Sequence, residues 1–168
     1  MIAMLLSCSN DIKEVDKYSS DNKSPGIYGK DLKMLYSDSL VIRYKITAKE
    51  YVEYTENDIL VREFNNGMFA ESFNNQSEFE ASIKAQYARF NNTTGIWTIR
   101  YGVEVVSSSG DKLNTELMYW DQKNKIIYSD KYVRVTQNGQ VIDCANGFKS
   151  DQNLDNIEFN EISGDIVI

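Results

Sequence analysis

The chain has 168 residues, room for one domain and a short tail. Its formal charge of -7 opposes nucleic-acid binding, and the absence of histidine removes His-based triads, most zinc sites and the usual neutral-pH general base. Hydrophobic residues at 42% and charged residues at 26% describe a globular composition, and aromatics at 12%, led by eleven tyrosines, favour strands over helices.

The chain opens with Leu5-Leu6-Ser7-Cys8, two aliphatics and a small residue ahead of a cysteine. The pattern resembles the lipobox of bacterial lipoproteins, in which cleavage before the cysteine leaves an acylated N-terminus that anchors the protein to a membrane. Cys8 is the expected lipidation site. No Lys or Arg precedes it, whereas a signal peptide carries a basic start and a longer apolar stretch, so the precursor is expected to extend upstream. The expected division is a signal-peptide remnant over 1–7, a flexible lipid-anchored tether over 8–26 and one β-domain over 27–168. The tether reading rests on Ser19-Ser20-Asp21-Asn22-Lys23-Ser24-Pro25-Gly26, which has little apolar surface to bury.

Beyond the tether, apolar residues alternate with polar ones between turn signals: Ser37-Asp38-Ser39, Asn65-Asn66-Gly67, Asn91 to Gly95, Ser108 to Asp111, Asp121 to Asn124 and Asn138-Gly139. Strands are expected over 31–36, 40–48, 59–64, 79–90, 96–106, 112–120, 125–136, 140–148 and 156–168. Over 79–90 the spacing of Phe79, Ile83, Tyr87 and Phe90 also suits a helix, and the strand is preferred because its neighbours are strands. A period of about thirty residues relates Ile83 and Ala85 to Leu113 and Thr115 and then to Ile142 and Cys144. It also relates Trp97, Val103 and Val105 to Ile127, Val133 and Val135, and Ile127 to Ile157. A repeated two-strand unit has to stack on its neighbours to cover its apolar face, which points to an elongated β-architecture rather than a compact barrel. Cys144 lies among Val141, Ile142 and Phe148 and reads as a buried structural cysteine.

The runs Thr94-Gly95-Ile96-Trp97, Gly102 to Val106, Gly110 to Asp121, Lys125 to Val135, Gly147 to Asp151 and Ile162-Ser163-Gly164, in this order and spacing, resemble the LptC family of periplasmic lipopolysaccharide-export proteins. Tyr36-Ser37-Asp38 and Ile46-Thr47-Ala48 fit the family's first hairpin. The resemblance implies an all-β fold, an open antiparallel β-jellyroll of two facing curved sheets that holds acyl chains between them. It further implies a non-enzymatic protein without cofactor or metal. Such a protein accepts lipopolysaccharide from an inner-membrane ABC transporter and passes it edge to edge to a periplasmic bridge jellyroll of the LptA kind. Family members carry an N-terminal transmembrane helix, and here the lipobox-like cysteine stands in its place. The expected location is the periplasm, anchored to the outer face of the inner membrane through Cys8.

On that reading the alternation places Ile83, Ala85, Tyr87, Trp97, Ile99, Val103, Val105, Leu113, Leu117, Val133 and Val135 on the lipid-facing side. Lys84, Arg100, Glu104, Asn114, Glu116 and Arg134 fall on the solvated side. The last strand ends on Ile166, Val167 and Ile168, which suit augmentation by a partner's strand.

Two rival chemistries read as surface features. Glu104, Glu116 and Asp121 have the composition of a hydrolytic carboxylate pair, but alternate with apolar residues as the wet face of a strand does. Asp151 to Asn156 lacks the glycine and terminal glutamate of a calcium loop and reads as a polar turn. The alternative function is a lipid-anchored β-sandwich binding glycan or a protein, with Tyr101, Tyr119 and Trp120 as an aromatic platform.

Overall fold

A computed structural model describes residues 23–38 and 40–160. They form strands β1 (Lys23–Asp38), β2 (Val41–Glu56), β3 (Ile59–Phe73), β4 (Phe79–Ala85), β5 (Tyr87–Asn91), β6 (Ile96–Ser107), β7 (Lys112–Asp121), β8 (Ile126–Ser129), β9 (Val133–Gln137), β10 (Gln140–Cys144), β11 (Phe148–Asp151) and β12 (Ile157–Phe159). The described residues contain no helix. Every strand pairing is antiparallel, along β1-β2-β3-β4-β6-β7-β8-β11-β12, with β5 beside β3 and β6, and β9 beside β7 and β10.

This one sheet is folded on itself along a crease. At the crease β1 and β3 take left-handed backbone at Asp31 (φ 52°) and at Asn66 and Gly67 (φ 61° and 121°). Strand β6 does the same at Tyr101 and Gly102 (φ 67° and 64°). The pairing register slips at the same level, between Ala48 and Glu50 of β2 and between Arg100 and Val103 of β6. Gln86, between β4 and β5, keeps the ladder continuous: Gly67 N donates to Gln86 O at 2.9 Å, and Gln86 N donates to Tyr101 O at 3.0 Å. Bulges of this kind are how a strand turns a corner from one sheet into another. A non-glycine residue in the left-handed region costs about 1–2 kcal/mol, so Tyr101 is held there by the pairing around it.

The crease divides the sheet into two leaves. The lower leaf comprises 23–30, 50–56, 59–65, β5, 96–100, 117–121, β8, β11 and β12; the upper leaf comprises 32–38, 41–48, 68–73, β4, 103–107, 112–115, β9 and β10. Their apolar faces meet in one core that joins Ile46, Met68, Val105 and Val135 of the upper leaf to Phe64, Ile99, Trp120 and Phe148 of the lower. Tyr44 of the upper leaf meets Trp120 of the lower edge to face, centroids 5.4 Å apart. The result is an all-β jellyroll of two facing leaves that share a spine, as expected.

The thirty-residue period is one coil of this fold. Trp97 of β6, Ile127 of β8 and Ile157 of β12 lie in the lower leaf, Val103, Val105, Val133 and Val135 in the upper. Ala85, Thr115 and Cys144 belong to the returning strands β4, β7 and β10. The strands expected over 125–136 and 140–148 are each cut at the crease, at Asp130–Tyr132 and at Ala145–Gly147. The expected strand over 79–90 is cut at Gln86 into β4 and β5.

One turn reading and one tether boundary need correction. Asn65-Asn66-Gly67 bends β3 without ending it, because left-handed residues serve a bulge as well as a hairpin. The turn lies instead at Asn57-Asp58 (φ 49° and 62°), two consecutive left-handed residues that match the twist of the flanking strands. Asn138-Gly139 is a hairpin of the same kind, as expected. Residues 23–26, expected in the tether, begin β1 opposite 54–56.

The glycines of the crease differ in how firmly they are required. A Cβ on Gly147 (φ 91°) would stand 2.0 Å from the Ser129 carbonyl oxygen, whereas one on Gly102 (φ 64°) meets nothing within 4 Å. Gly147→Ala is therefore expected to lower stability by more than about 2 kcal/mol, since both backbone conformation and close approach fail. Gly102→Ala meets only the conformational term, about 1 kcal/mol. Urea midpoints of the two variants test this, and equal losses would remove the close-approach argument.

Candidate binding interior

The facing sides of the leaves form a continuous apolar lining. Ala85, Trp97, Ile99, Val103, Val105, Leu113, Val133 and Val135 all lie on it and are buried, and Ile83 is partly buried against the same core. Tyr87 and Leu117 do not lie on it. Counting every second residue carries the inward phase straight through the crease, but the backbone resets it there. In β5 the inward residues are Ala88 and Phe90, opposite Phe64 and Arg62 of β3; in β7 the phase moves from Thr115 to Met118 and Trp120. Tyr87 instead turns outward, its hydroxyl donating to Glu63 Oε1 at 3.1 Å, and Leu117 pairs with the outward Arg100.

Alternation alone also missed Phe64, Phe90, Met118, Trp120 and Phe148. In the lower leaf Phe64, Phe90 and Trp120 each pack on Trp97, the first two tilted and the third stacked, with centroid separations of 5.3, 5.0 and 5.8 Å. Each such contact contributes about 0.5–1.5 kcal/mol beyond area burial. The lining is closed between β6 and β9, where Ile99, Val103, Val105, Leu113, Val133 and Val135 are at most 1% exposed. It opens towards β1: Leu32, Met34 and Tyr44 are only partly buried, and Ile27 and Tyr36 are 59% and 40% exposed.

The lining has a few polar interruptions. Trp120 Nε1 and Ser150 Oγ are buried without a hydrogen-bond partner, although interiors rarely leave such groups unpaired. They share one transverse row, since Trp120 faces Ile127 and Ile127 faces Ser150. Near the β2–β3 turn, Arg62 Nε donates to Glu53 Oε2 at 2.7 Å, and the same oxygen accepts from the Tyr51 hydroxyl at 2.9 Å. Thr115, buried beside the crease, donates to the Tyr132 carbonyl at 2.8 Å and tethers β7 to the chain entering β9.

The outer face is polar apart from a second buried cluster of Val52, Tyr54 and Val61 on β2 and β3. Lys84, Arg100, Asn114, Glu116 and Arg134 are exposed and Glu104 half-exposed. Arg134 grips Asp143 through two bonds of 2.8 and 3.0 Å, which with the Tyr132 hydroxyl hold that carboxyl at a pKa of about 2. Glu63 accepts from both Tyr54 (2.7 Å) and Tyr87, and burial together with this carboxylate pushes both phenols up. Two of the carboxylates considered for catalysis, Asp121 and Glu116, hold a turn and the crease. Asp121 accepts from Asn124 N and Nδ2 at 3.0 and 2.7 Å, and Glu116 accepts from Gly102 N at 3.4 Å. Asp151 accepts the backbone N–H groups of Asn153, Asp155 and Asn156, so its loop is a capped turn. The aromatic platform is not assembled: Trp120 is buried inside, while Tyr119 stacks outside on Tyr128. Cys144 is buried, its Sγ donating to Gly147 O at 3.2 Å. Cys8 and the expected partner-edge residues Ile166, Val167 and Ile168 lie outside the described residues.

A single antiparallel sheet folded into two leaves around an apolar lining defines an all-β jellyroll. Over residues 1–162 the chain matches the family described as "Lipopolysaccharide-assembly, LptC-related". The chain belongs to the LptC family, the periplasmic, inner-membrane-associated and non-enzymatic components of lipopolysaccharide transport. No curated protein matches it.

The Glu53 carboxyl is held below its ordinary value, first by the Arg62 hydrogen bond and further by the Tyr51 hydroxyl, against partial burial that pushes it up. A lowered folded-state pKa means that the pairing contributes stability fully present above the unfolded value of about 4.3. That contribution is lost as pH falls through the lower folded value. Between about pH 5 and 3 the urea midpoint of the wild type is therefore expected to fall more steeply than that of Glu53→Gln. Parallel slopes would show that the carboxylate is not stabilised by its partners.

Proposed function

We propose that the chain carries the acyl chains of lipopolysaccharide between its leaves, receives the lipid from an inner-membrane ABC transporter and hands it to the next periplasmic jellyroll. The observation that carries this reading is the continuous apolar lining shared by the two leaves, half-open along β1 and β2. Acyl chains need apolar walls to enter and must also leave again. A lining closed at β6–β9 and half-exposed at β1 offers both, if the leaves part about their common spine. Ile83, Ala85, Trp97, Ile99, Val103, Val105, Leu113, Val133 and Val135 are its proposed contacts, joined by Phe64, Phe90 and Trp120.

Transfer proceeds along the sheet edges. Strand β1 pairs with β2 alone among the described strands, so its outer edge is available to a neighbouring jellyroll. At the other end the proposed partner edge is Ile166, Val167 and Ile168. Lipidation at Cys8 supplies the membrane anchor, with the segment up to β1 as the tether.

The closed packing between β6 and β9 favours a second reading, a lipid-anchored sandwich that binds glycan or protein on its outside. One experiment separates the two. A benzoylphenylalanine at Phe90, inward and partly buried, is expected to crosslink to lipopolysaccharide on irradiation, whereas the same residue at the outward Tyr101 is not. Adducts at both positions or at neither, in folded protein, would move the assignment to the outer-surface reading.

A further inference from the structure

The inward faces of the leaves hold a single ion pair. Following the register through every pairing, the described strand residues place one cation, Arg62, and one anion, Glu53, on the lining. The two face each other across β2 and β3, with side chains 24% and 19% exposed. The guanidinium also lies 5.7 Å from the centre of the Phe90 ring. Its position is next to the β2–β3 turn, where the lower leaf ends.

A partly buried ion pair is weak evidence for stability in itself, because replacing both partners with apolar residues of similar volume is often neutral. The arginine is also only partly engaged. Its Nε is the nitrogen bonded to Glu53, and its terminal nitrogens donate to no acceptor among the described residues. A guanidinium with free terminal N–H groups, at the open end of an apolar cleft, is matched to a phosphate carried on an acyl chain.

We propose that Arg62 binds the phosphate of an acylated lipid whose chains occupy the interior, and that Glu53 is an internal competitor that keeps this attachment weak enough to release. The proposal rests on the acyl-chain reading of the lining. In the free protein Glu53 satisfies the arginine and spares it an unpaired charge in a half-buried place. When a phosphate arrives the guanidinium keeps its Nε bond to the carboxylate, which repels the incoming anion, so affinity stays below what a lone arginine would give. Tyr51 holds the carboxylate in place through its hydroxyl.

The test uses two twelve-carbon amphiphiles, dodecyl phosphate and the neutral dodecyl maltoside, titrated below their micellar concentrations into the full chain. The wild type is expected to bind dodecyl phosphate more tightly. Arg62→Gln should weaken dodecyl phosphate about tenfold and leave dodecyl maltoside unchanged, while Arg62→Lys keeps part of the preference. Glu53→Gln should tighten dodecyl phosphate, and Lys84→Gln, on the outer face, should change neither. Equal binding of the two amphiphiles by the wild type, or an Arg62→Gln effect that is absent or the same for both, overturns the role of Arg62 and leaves the apolar reading standing. Weaker dodecyl phosphate binding by Glu53→Gln overturns the competitor role. Failure of both amphiphiles to bind the wild type overturns the acyl-chain reading and the proposal with it. Circular dichroism of each variant separates lost binding from lost fold.

Discussion

The crease is the constraint on which everything else depends. An antiparallel sheet with one apolar face has to cover that face, and this chain does so by bending its own sheet until the face meets itself. The bend works only if neighbouring strands break at the same level. Left-handed backbone at Asp31, Asn66-Gly67 and Tyr101-Gly102 and the strand breaks at Gln86, Asp130–Tyr132 and Ala145–Gly147 form that line. The strain at Tyr101 is set against a core in which a buried Leu, Ile or Phe contributes about 1.5–3 kcal/mol, so the folded arrangement prevails.

Bending a single sheet has consequences that stacking two separate sheets lacks. Both leaves share strands, so β2, β3, β6 and β7 tie upper and lower leaf together covalently along the spine. The side away from the spine has no such tie, apart from contacts between hairpin tips such as Gln137 Nε2 to the Leu154 carbonyl at 3.5 Å. The interior is consequently firmest at the spine and loosest at its open side and towards β1. This asymmetry suits a lining that admits a long apolar ligand without exposing its whole core to water.

Polar groups are distributed by the same logic. On the outside, Arg134–Asp143 sits where water screens it, whereas the Tyr54–Glu63–Tyr87 group is largely buried beside Val52 and Val61. Inside, Trp120 Nε1 and Ser150 Oγ stand without partners, and an unmet buried group costs about 1–3 kcal/mol. Glu53 and Arg62 are the one inward pair of charges among the described strand residues.

Much of the architecture was legible in local text. Alternation and turn residues predicted an all-β chain, Asn138-Gly139 a hairpin, and the thirty-residue period the coil, because each depends on neighbours in sequence. The apolar stripe of β6 and β9 was legible for the same reason: within one leaf, every second residue faces inward. What alternation could not carry was phase across the crease, so Tyr87 and Leu117 were assigned inward when Ala88 and Met118 are. Asn66-Gly67 has the composition of a hairpin turn, and only its pairing on both sides shows a bulge. The sequence by itself therefore determined strands, turns and the apolar set of each leaf. The tertiary structure decided where the sheet folds, which residues the two leaves bring together and that one ion pair stands in the lining, because these depend on strands far apart in the chain breaking at a common level.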